Sequence, residues 1–151
     1  MVTPLAPGTI GRAAIVEPER AAQIPTAVTR PRRCLIVDDS RVVRRVSRQI
    51  VEGLGYQVIE AENGQEALAR CRIDLPDLIL LDWEMPVMSG IQFITALRAL
   101  PLPHRPKAVF CTSKGETSDI FKGIEAGADE YVTKPFSEAS LKAKLVRIGA
   151  I

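Results

Sequence analysis

The sequence predicts a doubly wound α/β domain built on a five-stranded parallel sheet. Three observations predict it. From Cys34 onward, five short apolar runs alternate with five amphipathic stretches over about 118 residues, the pattern of strand and crossover helix. The run Leu78-Ile79-Leu80-Leu81 is apolar without alternation and stops abruptly at Asp82, as a central parallel strand covered on both faces would. The length of 151 residues, 46% of them apolar, suffices for one domain with a real core and would crowd two.

Residues 1–33 stand apart from this pattern. Pro4, Pro7, Pro18, Pro25 and Pro31 make five of the eleven prolines, and five arginines (Arg12, Arg20, Arg30, Arg32, Arg33) face only Glu17 and Glu19. No helical or alternating apolar period survives, so this stretch reads as a flexible basic extension and residues 34–151 as the domain.

Within the domain, Cys34 to Val37 is a buried strand ending at Asp38-Asp39. Ser40 caps a helix running to about Leu54, with Val43, Val46, Ile50, Val51 and Leu54 inward and Arg41, Arg44, Arg45 and Arg48 outward. Gly55 ends it, and Tyr56 to Glu60 alternates as a short strand. Asn63 opens a second helix through Arg72, with Ala67, Leu68 and Cys71 apolar. After the strand ending at Asp82, Ser89-Gly90 starts a third helix to near Leu100, and Pro101, Pro103 and Pro106 mark the loop before a fourth strand, Lys107 to Thr112. Glu116 to Ala126 is a fourth helix closed by Gly127, Glu130 to Thr133 a fifth strand, and Ser137 to Ile148 a last helix with Leu141, Leu145 and Ile148 inward.

Composition removes several functions. Twenty Lys and Arg against 18 Asp and Glu give +2, far from the basic excess of a protein devoted to nucleic-acid phosphates. Cys34, Cys71 and Cys111 are odd in number and widely spaced beside a single His104, which fits neither a disulfide framework nor a zinc site. They read as small buried hydrophobes in a reducing compartment, and His104 as an exposed loop residue. No apolar run approaches the length of a membrane span, and Met1 to Ile10 has no signal-peptide shape, so a soluble cytoplasmic protein is expected.

Ligands of such sheets bind beyond the carboxyl ends of the strands. Those ends carry Asp38 and Asp39, then Asp82, then Thr112 and Ser113, then Lys134-Pro135. Three carboxylates forced together raise one another's pKa unless a cation neutralises them, and hard oxygen donors suit Mg²⁺. An ammonium and a hydroxyl complete a set that can stabilise charge on a transferred phosphoryl group. Asp82, on the middle strand, is the best placed nucleophile, and an aspartyl phosphate is the product of its attack.

These residues carry a resemblance. The runs Leu35-Ile36-Val37-Asp38-Asp39, Leu80 to Gly90 (with Asp82, Glu84, Met85, Pro86), Thr112, Ala126 to Tyr131 and Lys134-Pro135-Phe136 are similar, in order and spacing, to the receiver domain of two-component response regulators, in particular the single-domain chemotaxis type. The resemblance covers residues 34–151. It implies a flavodoxin-like sheet of strand order 2-1-3-4-5, phosphorylation of Asp82 by a histidine kinase or histidine phosphotransfer protein, and Mg²⁺ on Asp38, Asp39, Asp82 and the backbone carbonyl of Glu84. It further implies phosphate contacts from Lys134 and Thr112, and a switch in which Tyr131 turns into the space Thr112 vacates, remodelling the face of the fourth helix, fifth strand and fifth helix for a downstream target. The family docks its phosphodonor beside the first helix, which makes Arg44, Arg45 and Arg48 a candidate partner surface. A cis Lys134-Pro135 bond, a stand-alone monomer with no DNA-binding domain and no membrane segment, and no enzymatic activity beyond its own phosphotransfer and dephosphorylation are also expected. Ser113 departs from the family's usual Ala or Gly, and Ser89 from its common acidic residue.

Two other classes compete. A haloacid-dehalogenase-type phosphatase also uses an aspartate after a parallel strand with Mg²⁺, but its motif wants a second aspartate where Glu84 stands, and its cap needs more chain. A receiver-like module that ignores phosphorylation and grips a nucleotide messenger with arginines would carry them beyond the last helix, whereas here the basic excess lies at the amino end.

Overall fold

The computed structural model describes residues 31–113 and 117–151. The extension expected over residues 1–33, apart from Pro31, Arg32 and Arg33, and the expected helix start at Glu116 lie outside the described residues. The elements run β1 (Arg33–Val37), α1 (Arg41–Gly53), β2 (Gln57–Ala61), α2 (Gly64–Ile73), β3 (Leu78–Asp82), α3 (Gly90–Arg98), β4 (Lys107–Thr112), α4 (Thr117–Ala126), β5 (Glu130–Thr133) and α5 (Glu138–Arg147). The sheet order is β2-β1-β3-β4-β5, every pair parallel, which is the doubly wound order expected.

Alternation along the strands divides the core. Leu35, Val37, Ile79, Leu81, Ala108 and Phe110 face α2 and α3, whose Ala67, Cys71, Phe93, Ile94 and Leu97 cover them. Cys34, Ile36, Leu78, Leu80, Val109 and Cys111 face α1 and α5 through Val51, Leu141 and Leu145. Covering both faces explains the uninterrupted apolar runs of β1 and β3. All three cysteines are buried and unpaired.

Helix starts follow side-chain chemistry. Ser40, Asn63, Ser89 and Ser137 each accept a backbone N–H of the first turn, and Ser89 with Gln92 forms a reciprocal capping box. On α1 the expected inward set needs one correction. Val46 is 49% exposed and Ser47 takes the buried place, because the inward arc follows positions 43, 47, 50, 51 and 54, and Val46 falls outside it beside Val42.

Candidate functional site

Parallel strands deliver their carboxyl ends to one edge, so the residues after β1, β3, β4 and β5 converge there without further contrivance. One carboxylate oxygen each from Asp38, Asp39 and Asp82 lies within 4.8 Å of the other two. Asp38 and Asp82 are buried and Asp39 is exposed at the mouth. Lys134 Nζ lies 3.0 Å from Asp38 Oδ2 and 2.9 Å from Asp82 Oδ1. The Ser40 backbone N–H donates to Asp38 Oδ1 at 2.8 Å, so the residue that caps α1 also orients the first carboxylate. The Lys134-Pro135 bond is cis, as expected, and the Lys134 N–H donates to the Thr112 carbonyl at 2.8 Å, holding the β5 end against β4.

The electrostatics are unbalanced. Burial pushes the Asp82 carboxyl above its ordinary range; bonding to Lys134 opposes this, and Asp38 and Asp39 add to it. Burial alone would lower the Lys134 ammonium, but its bonds to Asp82 and Asp38 outweigh that and hold it raised. Among the described residues, three oxygen donors against one ammonium fit a small divalent cation such as Mg²⁺. Asp82, Trp83, Glu84, Thr112 and Ser113 line a cleft of about 30 Å³, which puts the departing Ser113 at its wall. Thr112 is buried, and Tyr131 is half-buried on the same face as Phe110, its register partner.

The arginine surface is only partly free. Arg44 Nε and Arg48 Nε bind the two carboxylate oxygens of Glu60 at 2.9 and 2.7 Å, and Arg48 also reaches Glu52 at 3.1 Å. These bonds outweigh the burial that would raise Glu60 and hold its carboxyl below the usual range. Arg45 is exposed along a groove of about 760 Å³ that runs from Asp39. His104 sits at the far end of the sheet, Nε2 3.1 Å from the Pro76 carbonyl oxygen. Sequence reasoning missed the packing behind the site: the Trp83 and Phe110 rings lie 4.8 Å apart, and a Cβ on Gly123 of α4 would come within 2.8 Å of both. A glycine facing two aromatics across elements leaves no periodic signal.

Residues 34–146 match the family model described as the response regulator receiver domain. The chain belongs to this family. Among curated proteins, the phosphate regulon transcriptional regulatory protein PhoB of Escherichia coli is 41% identical over 114 residues, which cover 76% of this chain and 50% of PhoB. The Pseudomonas aeruginosa protein of that name is 43% identical over 111 residues, 74% of this chain and 48% of the relative. Among solved structures, the Vibrio cholerae chemotaxis protein CheY4 superposes with a TM-score of 0.72 at 31% identity, covering 78% of this chain and 98% of that one. A putative response regulator from Chloroflexus aurantiacus gives 0.75 at 33%, covering 81% and 100%.

The relatives correct one expectation. This receiver domain spans about half the length of the curated relatives it matches, and their names make them transcriptional regulators. The expectation of a stand-alone monomer with no DNA-binding domain does not stand against that match, while a kinase as phosphodonor is compatible with it. Domain-level resemblance had taken the single-domain chemotaxis proteins as the pattern, and a receiver fold alone does not distinguish the two kinds. Among the described residues, no helix is long and apolar enough to cross a membrane.

Proposed function

We propose that this receiver domain is a phosphoacceptor switch of two-component signalling, with Asp82 as the acceptor. A carboxylate oxygen of Asp82 attacks the phosphorus of a phosphohistidine on a histidine kinase or phosphotransfer protein. The P–N bond breaks, and its electron pair returns to the imidazole nitrogen as the aspartyl phosphate forms. The observation that carries this reading is the convergence of Asp38, Asp39 and Asp82 within 4.8 Å, with Lys134 bonded to two of them.

Asp38, Asp39, Asp82 and the Glu84 carbonyl would hold Mg²⁺, which supplies charge neutralisation on the transferring oxygens. Lys134 binds phosphoryl oxygens, and Thr112 follows them with its hydroxyl. Tyr131 then turns inward, changing the α4-β5-α5 face that carries the state outward. Phosphotransfer and dephosphorylation are the domain's own chemistry, without turnover of a separate substrate. Arg45, the most accessible member of the arginine surface, meets the phosphodonor beside α1. The setting is the cytoplasm, where unpaired thiols stay reduced.

Intact mass spectrometry after incubation with Mg²⁺ and acetyl phosphate tests this. Wild type gains one base-labile phosphoryl group, and Asp82→Asn and the metal-free sample gain none. Absence of uptake by wild type refutes the reading, and sustained hydrolysis of varied phosphate esters would favour a phosphatase.

A further inference from the structure

β5 is an edge strand of the sheet, and the two sides of that edge belong to different layers. Tyr131 packs on the layer of α2 and α3, whereas α5 packs on the opposite one. Lys144 of α5 reaches round the edge: its Nζ stands 4.3 Å from the centroid of the Tyr131 ring and 3.7 Å from Glu130 Oε1. Glu130 is only 9% exposed, accepts the Tyr131 backbone N–H on Oε1 at 3.1 Å, and has Arg147 Nε at 3.6 Å from Oε2. A buried carboxylate is thus tied to the backbone of Tyr131 and anchors the cation that covers the Tyr131 ring.

We propose that Lys144 is a positioning residue that holds Tyr131 in its half-buried place and so sets how readily the domain switches. The inference rests on the reading of Asp82 as phosphoacceptor and Tyr131 as switch. Thr112 lies on the same face of β4 as Phe110, two residues further along, so a ring turning toward Thr112 moves away from α5. Lys144 cannot follow, because its helix covers the other layer and Glu130 holds its ammonium. Its side chain is 24% exposed, so the cation–π contact is partly shielded from water and weighs on the resting position. Arg147 has no such weight: it reaches the carboxylate and not the ring. Removing the charge of Lys144 frees the inward position without touching the acidic cluster.

The test uses the full chain with isotope-labelled tyrosine rings, the two tyrosines assigned with Tyr56→Phe, titrated with beryllofluoride and Mg²⁺ as a mimic of the acyl phosphate. In Lys144→Met the ring signal of Tyr131 before addition shifts toward its saturated position, and the titration midpoint falls about three- to fivefold, the scale of one partly shielded cation–π contact. Lys144→Arg, which keeps a cation over the ring, restores both. A Lys144→Met midpoint and ring signal equal to wild type overturn the proposal. If that variant loses its cooperative unfolding transition, Glu130→Gln decides, since it removes the anchor; an unmoved midpoint there overturns it equally. A wild type that takes up no beryllofluoride, like Asp82→Asn, overturns the phosphoacceptor reading itself and this inference with it.

Discussion

Val87 offers a sharp test of backbone strain beside the site. Its φ is +71°, a left-handed value that β-branched residues rarely adopt, and the Met88 N–H reaches back to the Pro86 carbonyl at 2.7 Å, closing a three-residue turn centred on Val87. The residue is 73% exposed, so burial offsets little of the cost. Val87→Ala and Val87→Gly lose nearly the same contacts and differ by one Cβ. At positive φ that Cβ costs about 1–2 kcal/mol, while the freer unfolded chain of the glycine variant costs about 0.4–1 kcal/mol. Val87→Gly is therefore expected to be more stable than Val87→Ala by about 0.5–1 kcal/mol, or about 2–5 °C in the thermal midpoint of a domain this size. Urea and thermal unfolding followed by circular dichroism measure it. At an ordinary exposed position the sign is opposite, with glycine about 0.5–1 kcal/mol worse than alanine. That opposite sign at residue 87 refutes the strained turn.

Two further outcomes follow from the packing. A Cβ at Gly90 would lie 2.3 Å from the Asp82 carbonyl oxygen and 2.7 Å from Phe110, and the first neighbour is strand backbone that cannot yield. Gly90→Ala should therefore cost about 3 kcal/mol in urea unfolding and slow phosphoryl uptake, and a loss below about 1 kcal/mol contradicts that packing. Burial pushes the Tyr56 phenol up to about 12 from an ordinary 10.0, against a downward pull from Arg32. The folded state then keeps a proton that the unfolded chain releases, so this stabilisation is whole below pH 10 and is lost as pH rises toward 12. The stability difference between wild type and Tyr56→Phe, measured by urea unfolding at stepped pH, should shrink across that window; a constant difference counts against it.

What could be read from residues alone was whatever the chain's periodicity or its strand ends determine. The bounds of β4 and β5 coincide with the runs Lys107 to Thr112 and Glu130 to Thr133, because apolar residues stop where burial stops. Asp38, Asp82 and Lys134 meet because parallel strands end at one edge, so the site was legible once the sheet was. The failures are contacts between elements. Hydropathy placed Val46 inward, but helical angle placed Ser47 there. Arg44 and Arg48 looked like a free basic face until Glu60 of β2 came alongside α1. Lys144 over Tyr131 needs both the edge position of β5 and the opposite layer of α5, and neither is a local property of the sequence. Whether a longer regulator surrounds such a domain is not a matter of its fold at all, which is why the match to half of PhoB corrected the reading.

The charges at the strand ends give the proposed switch its cause. Among the described residues three carboxylates face one ammonium, a cluster two charges from neutral, and one divalent cation matches that deficit. In the proposed reaction the charge of Asp82 is replaced by a phosphoryl group carrying about two negative charges, a net change of about one. Lys134 is already shared between Asp38 and Asp82 and cannot meet that change alone. Thr112, buried in the same cleft and one strand away, carries the hydroxyl that the proposed reaction draws toward the phosphoryl oxygens. In the proposed switch its displacement would open room on the face where Tyr131 lies, relaying a change of one charge at β3 to β5 through a single strand. In that proposed switch the acidic cluster would supply the drive and whatever holds Tyr131 the resistance, so that separate residues would tune the two.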